Sequence, residues 1–171
     1  GLGSADADTM MEMRYEGYGP SGVAVLVDCL SDNRNRTVSD VRHAFTKYSG
    51  NLGTDGSVSY LFDARGEIWL PAGVSEESFM DVAIDAGALD VQQEDDHYLI
   101  LTNREDYHEI VEKLKTANIE IEHSELCMRP QNKVLLNAEA SETLIKLIDM
   151  LEDLDDVQYV YTNADFPTEE A

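Results

Sequence analysis

Positive charge is scarce in this chain: twelve Lys and Arg stand against 35 Asp and Glu, leaving a formal net charge of −23. A body of that sign repels phosphate backbones through its summed field, which disfavours unaided binding to nucleic acid; the plain alternative is that the charge serves solubility. Cysteine is equally sparse. Cys29 and Cys127 lie nearly a hundred positions apart inside apolar runs, which fits neither a metal spacing nor a disulfide framework and points to buried free thiols in a reduced compartment. No apolar run approaches the roughly 18 residues that a membrane span needs, and no signal peptide is visible. The four histidines, His43, His97, His108 and His123, are scattered, so no zinc spacing exists. Acidic clusters such as Glu94-Asp95-Asp96 lack the glycine and ligand periodicity of a calcium loop and read as solvated turns. Catalysis also lacks its parts, because no nucleophile, base or carboxylate pair is brought together by spacing. The expectation is a non-enzymatic protein without metal or cofactor.

Apolar residues make up 43% of the 171, enough for one large or two small folded domains. Gly1 to Asp8 (GLGSADAD) has a linker composition, and Asp165 to Ala171 reads as a polar tail. Between them, strand and helix periodicities alternate. Strands are expected at Met11–Tyr15, Val23–Leu30, Val58–Phe62, Glu67–Leu70, Ala88–Gln92, Tyr98–Thr102, Ile119–Met128, Val134–Leu136 and Val157–Tyr161. Helices are expected at Val38–Tyr48 (capped by Thr37 or Ser39), from Ser75 to Gly87, after Asn103, and at Glu139–Glu152. DARG and EDDH read as turns.

After an opening hairpin this order gives βαβ four times: an α+β fold of two ferredoxin-like βαββαβ units. Periodicity leaves two assemblies open. The units lie in tandem, or the second is inserted between the second and third strands of the first. Pro130 in RPQNK mildly suits a crossing point and hence insertion.

Gly50, Gly53 and Gly56 follow a helix and lead into a strand, the reverse of a phosphate loop, whose glycines precede a helix N-terminus. They read as a helix stop and a tight connection. An RNA-recognition domain of the RNP type is disfavoured, because Val23–Leu30 carries no aromatic residue and no RNP run occurs.

One segment opposes the global charge. Asn33, Arg34, Asn35, Arg36 and Thr37, continuing to Arg42, His43 and Lys47, hold four of the twelve basic residues against one acid, Asp40. Guanidinium forks, amides and a hydroxyl at a helix start can grip phosphate. Internal ion pairs with Asp28, Asp32 or Asp40 are the equally weighted alternative.

RYEGYGPSGVAVLVDCLSDNRNRTVSDVRHAFTKYSGNLGTDGSVSYLF (Arg14 to Phe62) and KLIDMLEDLDDVQYVYTNAD (Lys146 to Asp165) resemble the YebC family. That family includes a quorum-sensing regulator and the mitochondrial translational activator of cytochrome c oxidase. The resemblance implies a basic three-helix domain preceding this chain, then two α+β domains, one inserted in the other. It tips the boundaries toward a linker at 1–10, a discontinuous domain at 11–65 and 130–165, an inserted domain at 66–129, and a tail at 166–171. The family carries glycine where Ser21 stands, and serine there suits a φ below zero. The implied function is cytoplasmic regulation of gene expression through DNA, or ribosome-associated assistance to translation of proline-rich stretches through ribosomal or transfer RNA. No membrane partner and no small-molecule substrate are expected. A small-molecule sensor and an acylphosphatase-like hydrolase remain as more distant alternatives on the same architecture.

Overall fold

The computed structural model describes residues 9–167. The expected linker at 1–8 and the end of the tail at 168–171 lie outside the described residues. The described chain forms two compact α+β units, one from residues 9–62 with 130–167 and one from residues 63–129. The second is thus inserted into the first.

The first unit opens with a hairpin, β1 (Met11–Tyr18) and β2 (Ala24–Ser31), paired antiparallel along its whole length from Met11↔Ser31 to Tyr18↔Ala24. A tight turn closes it: Gly19 N–H donates to Val23 O at 2.8 Å and Gly22 N–H to Gly19 O at 3.0 Å. Ser21 within this turn has φ 61 and Gly22 has φ 77. The negative φ that would suit serine at position 21 is therefore not what the turn uses: the hydrogen bonds from Gly22 to Gly19 and from Gly19 to Val23 close it with Ser21 and Gly22 both left-handed.

Helix α1 (Arg34–Lys47) follows, then β3 (Asn51–Leu52), β8 (Val134–Leu135), α4 (Ala138–Glu152), β9 (Val157–Thr162) and β10 (Ala164–Asp165). The main sheet has the order β3-β1-β2-β9, while β8 and β10 form a separate parallel pair. This order is the ferredoxin-like one, with the third-strand position filled by the opening hairpin strand β1. The expected strand at Val58–Phe62 does not join that sheet. Ser59–Leu61 is a 3-10 turn instead, and Phe62 begins the next strand.

The two faces of this sheet differ. Met13, Val25, Val27, Cys29 and Val160 point into a core closed by Val41, Ala44 and Phe45 of α1 and Leu144, Leu147 and Leu151 of α4. This is the i, i+3, i+4, i+7 stripe that the helix pattern anticipates. The alternate residues Arg14, Glu16, Leu26, Asp28, Tyr159 and Tyr161 fall on the helix-free face. There Leu26 lies opposite Tyr161 and Asp28 opposite Tyr159. The register shifts between Asp28 and Cys29, which pairs with Val157, so Gln158 is an extra, bulged residue.

The inserted unit runs β4 (Phe62–Leu70), α2 (Glu76–Ala86), β5 (Asp90–Glu94), β6 (His97–Asn103), α3 (Tyr107–Thr116) and β7 (His123–Pro130), in sheet order β5-β6-β4-β7. Here the βαββαβ chain order and the ferredoxin-like sheet order coincide. Ile68, Leu70, Phe79, Ile100, Ile110 and Leu114 are its fully buried core. DARG is not a turn but the middle of β4. Gly66 is needed there because a Cβ would sit 2.4 Å from both the Tyr107 ring and Thr102 Oγ1. Within the first unit, the segments on either side of the insertion are tied together: Gln131 N–H donates to Leu61 O at 2.9 Å and Gln131 Nε2 to Tyr60 O at 3.1 Å.

Candidate nucleic-acid interface

The helix that carries the cationic segment starts four residues earlier than its apolar periodicity suggests. Asn33 is the cap; its Oδ1 accepts from Arg36 N–H at 3.0 Å, so Arg34, Asn35 and Arg36 form the first turn rather than the preceding loop. Side-chain capping by Asn satisfies an amide that would otherwise lack a partner, and it outweighs the absence of an apolar residue in that turn.

Inside this start lies a polar knot that sequence reasoning missed. Thr37, only 1% exposed, donates from Oγ1 to Asp156 Oδ2 at 2.7 Å, and its Oγ1 lies 2.7 Å from Ser31 Oγ. Arg36 Nη2 lies 3.0 Å from both Asp156 oxygens, with Nε at 3.2 Å from Oδ2. The same Nη2 reaches Asp32 Oδ1 at 3.4 Å and Ser31 Oγ at 3.2 Å. Burial alone would raise the Asp156 carboxyl; the Thr37 hydroxyl, the Arg36 guanidinium and Ser31 overcome it and hold the group below the ordinary carboxylate range. A cavity of about 440 Å³ beside it is lined by Arg36 and Thr37 but also by Asp40, Asp153, Asp155 and Asp156. Its field is acidic, so this end of the helix does not present an open phosphate grip. The expected fork at Arg36 and hydroxyl at Thr37 are committed to an internal anion, and the partner is Asp156, 120 positions away, rather than Asp28 or Asp40. Only the DLDDVQ run preceding β9 offered a signal of it.

The other cations are freer. Arg34, Asn35, Arg42, His43 and Lys47 are exposed, and Arg34 and Arg42 form no ion pair among the described residues. Successive helical residues turn by about 100°. His43 and Lys47 therefore share the edge that carries Arg36, whereas Arg42 and Asn35 share another. Lys47 sits 5.6 Å from the Tyr48 ring, a cation–π arrangement. Arg42, His43 and Lys47 thus lie on the exposed half of the helix, along two edges, while Arg34 sits in the first turn at its N-terminal end.

The glycine loop after α1 does bind an anion, but an internal one. Glu16 is 6% exposed, and its carboxylate accepts from the backbone N–H groups of Gly56 at 2.8 Å, Val58 at 3.0 Å and Ser59 at 2.7 Å. Burial pushes this carboxyl up, yet those three donors outweigh it and leave it lowered. Gly50 is required for a different reason than ending the helix. The left-handed position is Ser49 (φ 65), while a Cβ on Gly50 would lie 2.2 Å from Tyr18 O.

No group of three or more His, Cys, Asp or Glu able to hold a metal occurs among the described residues. Cys29 is buried and Cys127 half-buried, and burial pushes each thiol up to about 12, which leaves both unreactive at neutral pH.

Residues 10–164 match the family described as TACO1/YebC second and third domain. The chain belongs to this family. Relatives in it include a probable transcriptional regulatory protein of Legionella pneumophila (strain Corby), 60% identical over 166 residues that cover 97% of this chain and 67% of the relative. Another, from Coxiella burnetii (strain Dugway 5J108-111), carries the same description and is 51% identical over 170 residues, covering 99% of this chain and 70% of that one. The crystal structure of a conserved hypothetical protein from Aquifex aeolicus superposes with a TM-score of 0.82 at 46% identity, covering 94% of this chain and 67% of that one. The chain thus spans about two thirds of the length of its TACO1/YebC relatives. No helix among the described residues is long and apolar enough to cross a membrane.

Proposed function

We propose that this chain is the acidic α+β body of a non-enzymatic, cytoplasmic regulator of gene expression that touches nucleic acid through the exposed side of α1. The observation that carries the reading is the contrast in charge: Arg34, Arg42, His43 and Lys47 are exposed on one helix of a chain with net charge −23. Exposed Arg and Lys aimed at solvent are the groups that phosphate contacts use, and such contacts position a protein without reading sequence. Arg36, Thr37 and Asn33 serve these cations by holding the helix start to Ser31 of β2 and to Asp156 just before β9. The names of the Legionella and Coxiella relatives support a role in regulation.

A second reading is favoured by the same charge. A body at −23 is repelled along duplex DNA, where phosphates line both sides of any approach. It is attracted to basic protein surfaces, such as those of a ribosome, while the few exposed cations of α1 meet ribosomal or transfer RNA. Translation support is therefore the alternative to action on DNA.

The test is a triple charge reversal, Arg34→Glu with Arg42→Glu and Lys47→Glu, followed by titration of RNA and duplex DNA binding against salt. Each lost phosphate contact lowers the slope of log K against log salt by about 0.7–0.9. The expected result is a slope reduced by about two units, and a preference of the unaltered chain for RNA over duplex DNA supports the translation reading. An unchanged slope removes α1 from the interface, and duplex preference removes the translation reading.

A further inference from the structure

The helix-free face of the first sheet is only half covered. At one end Glu16 is sealed by the 56–59 backbone, and Tyr18 Oη reaches Ser57 O at 3.4 Å. One row further along, Arg14, Asp28 and Tyr159 lie side by side across β1, β2 and β9, and Tyr159 is 50% exposed. Its ring stacks with Tyr161 at a centroid distance of 6.0 Å and an interplanar angle of 18°. Arg14 is locked in place by a bidentate pair with Asp28, Nε to Oδ1 at 2.6 Å and Nη2 to Oδ2 at 2.9 Å, and is still 40% exposed. Beside the tyrosine opens a cavity of about 340 Å³ lined by Glu12, Met13, Arg14, Asp28, Cys29, Gln158 and Tyr159. The bulge at Gln158 adds an amide to that rim.

From this arrangement we infer that Tyr159, backed by Tyr161, is a stacking platform for one unpaired nucleobase of single-stranded RNA, whose polar edge enters the cavity between Glu12 and Gln158. The occupant follows from three features. An exposed ring already held near-parallel by a second ring offers a flat, pre-ordered π-surface, and bases stack on such surfaces irrespective of identity. Arg14 and Asp28 neutralise each other, which leaves Glu12 as the rim's uncompensated carboxylate among the described residues; it repels phosphate but accepts a hydrogen bond from an exocyclic amino group, so a base rather than a backbone enters. A base inside a duplex has no free face, so only an unpaired one can stack. This site rests on the reading that the chain acts on nucleic acid, but it lies on a different surface from the α1 cations and supplies the discrimination that phosphate contacts lack. The expected preference is for cytosine over uracil, because cytosine carries an exocyclic amino donor where uracil has a carbonyl oxygen that the Glu12 carboxylate repels.

The experiment compares the unaltered chain with Tyr159→Ala and Tyr159→Phe in binding to short oligo(C) and oligo(U) RNA across a salt titration. Stacking on one base contributes about 1–3 kcal/mol, so Tyr159→Ala should weaken oligo(C) binding by roughly 5- to 150-fold. Its salt slope should stay unchanged, because no phosphate contact is lost. Tyr159→Phe should bind as the unaltered chain does. Equal affinity of Tyr159→Ala overturns the platform. A loss in Tyr159→Phe as large as in Tyr159→Ala overturns stacking in favour of the hydroxyl. Equal affinity for oligo(U) overturns the role of the acidic rim. Failure of the α1 reading is separate: it shows as an unchanged salt slope in the charge-reversed chain, with Tyr159 intact.

Discussion

Ser21 is the residue whose conformation most clearly disagrees with its chemistry. At φ 61 and ψ 18 it occupies the left-handed region that a Cβ disfavours by roughly 1–2 kcal/mol, and it is exposed, so nothing but the backbone decides its fitness. Ser21→Gly should therefore stabilise the chain by roughly 0.5–1 kcal/mol, the larger entropy of unfolded glycine offsetting part of the gain; urea unfolding measures it, and a loss of stability would deny the left-handed turn. Glu16 offers the opposite case, a buried charge that three amides require. Glu16→Gln replaces one acceptor with a donor that faces those N–H groups and should cost roughly 1–3 kcal/mol. Because the folded-state values of Glu16 and Asp156 are both depressed, their stabilisation is complete above the unfolded carboxylate values near about 4. It is lost as pH falls through the lower, folded-state values. Glu16→Gln combined with Asp156→Asn should accordingly flatten the acid limb of the stability–pH curve, which thermal melts across that range would reveal.

At the scale of elements, much was legible and the misses share a cause. The buried stripe Leu144, Leu147 and Leu151 on α4 and the set Tyr107, Ile110, Val111 and Leu114 on α3 follow directly from apolar spacing, because burial is what that spacing serves. Boundaries failed where polar contacts decide. The first turn of α1 is held by Asn33 and by a knot reaching Asp156, neither of which leaves a periodic trace. DARG looked like a turn because glycine stands among polar residues, yet Gly66 is there to let Tyr107 approach. The site was legible to the same degree: exposed cations on α1 were visible as composition, whereas the engagement of Arg36 depends on a partner 120 positions away. The tyrosines of β9 are not legible as a pair beside Asp28 because their place depends on the long-range pairing of β9 with β2 and on the bulge at Gln158. Asn33→Ala should cost about 1 kcal/mol and fray the first turn, seen as faster amide exchange at Arg36.

Across the whole molecule the excess of carboxylates is itself a force. With twelve cations dispersed among 35 anions, like charges crowd within a Debye length of about 30 Å at 0.01 M salt, a length that shrinks to about 8 Å at 0.15 M. The thermal midpoint should therefore climb as sodium chloride is added over that interval, while binding to any polyanion weakens. A midpoint that falls instead would mean that specific ion pairs such as Arg14–Asp28 and Arg36–Asp156 outweigh the general repulsion. The hydrogen bond from Gln131 to Leu61 has its own consequence at this scale. Where the chain leaves the host unit and where it comes back are tied by the hydrogen bonds from Gln131 to Leu61 and Tyr60, so a short link can replace the excursion. A splice from Phe62 to Pro130 through two or three glycines should leave a small protein with a dispersed amide spectrum. That result would make the inserted unit a cassette whose fold and whose host's fold are separately encoded.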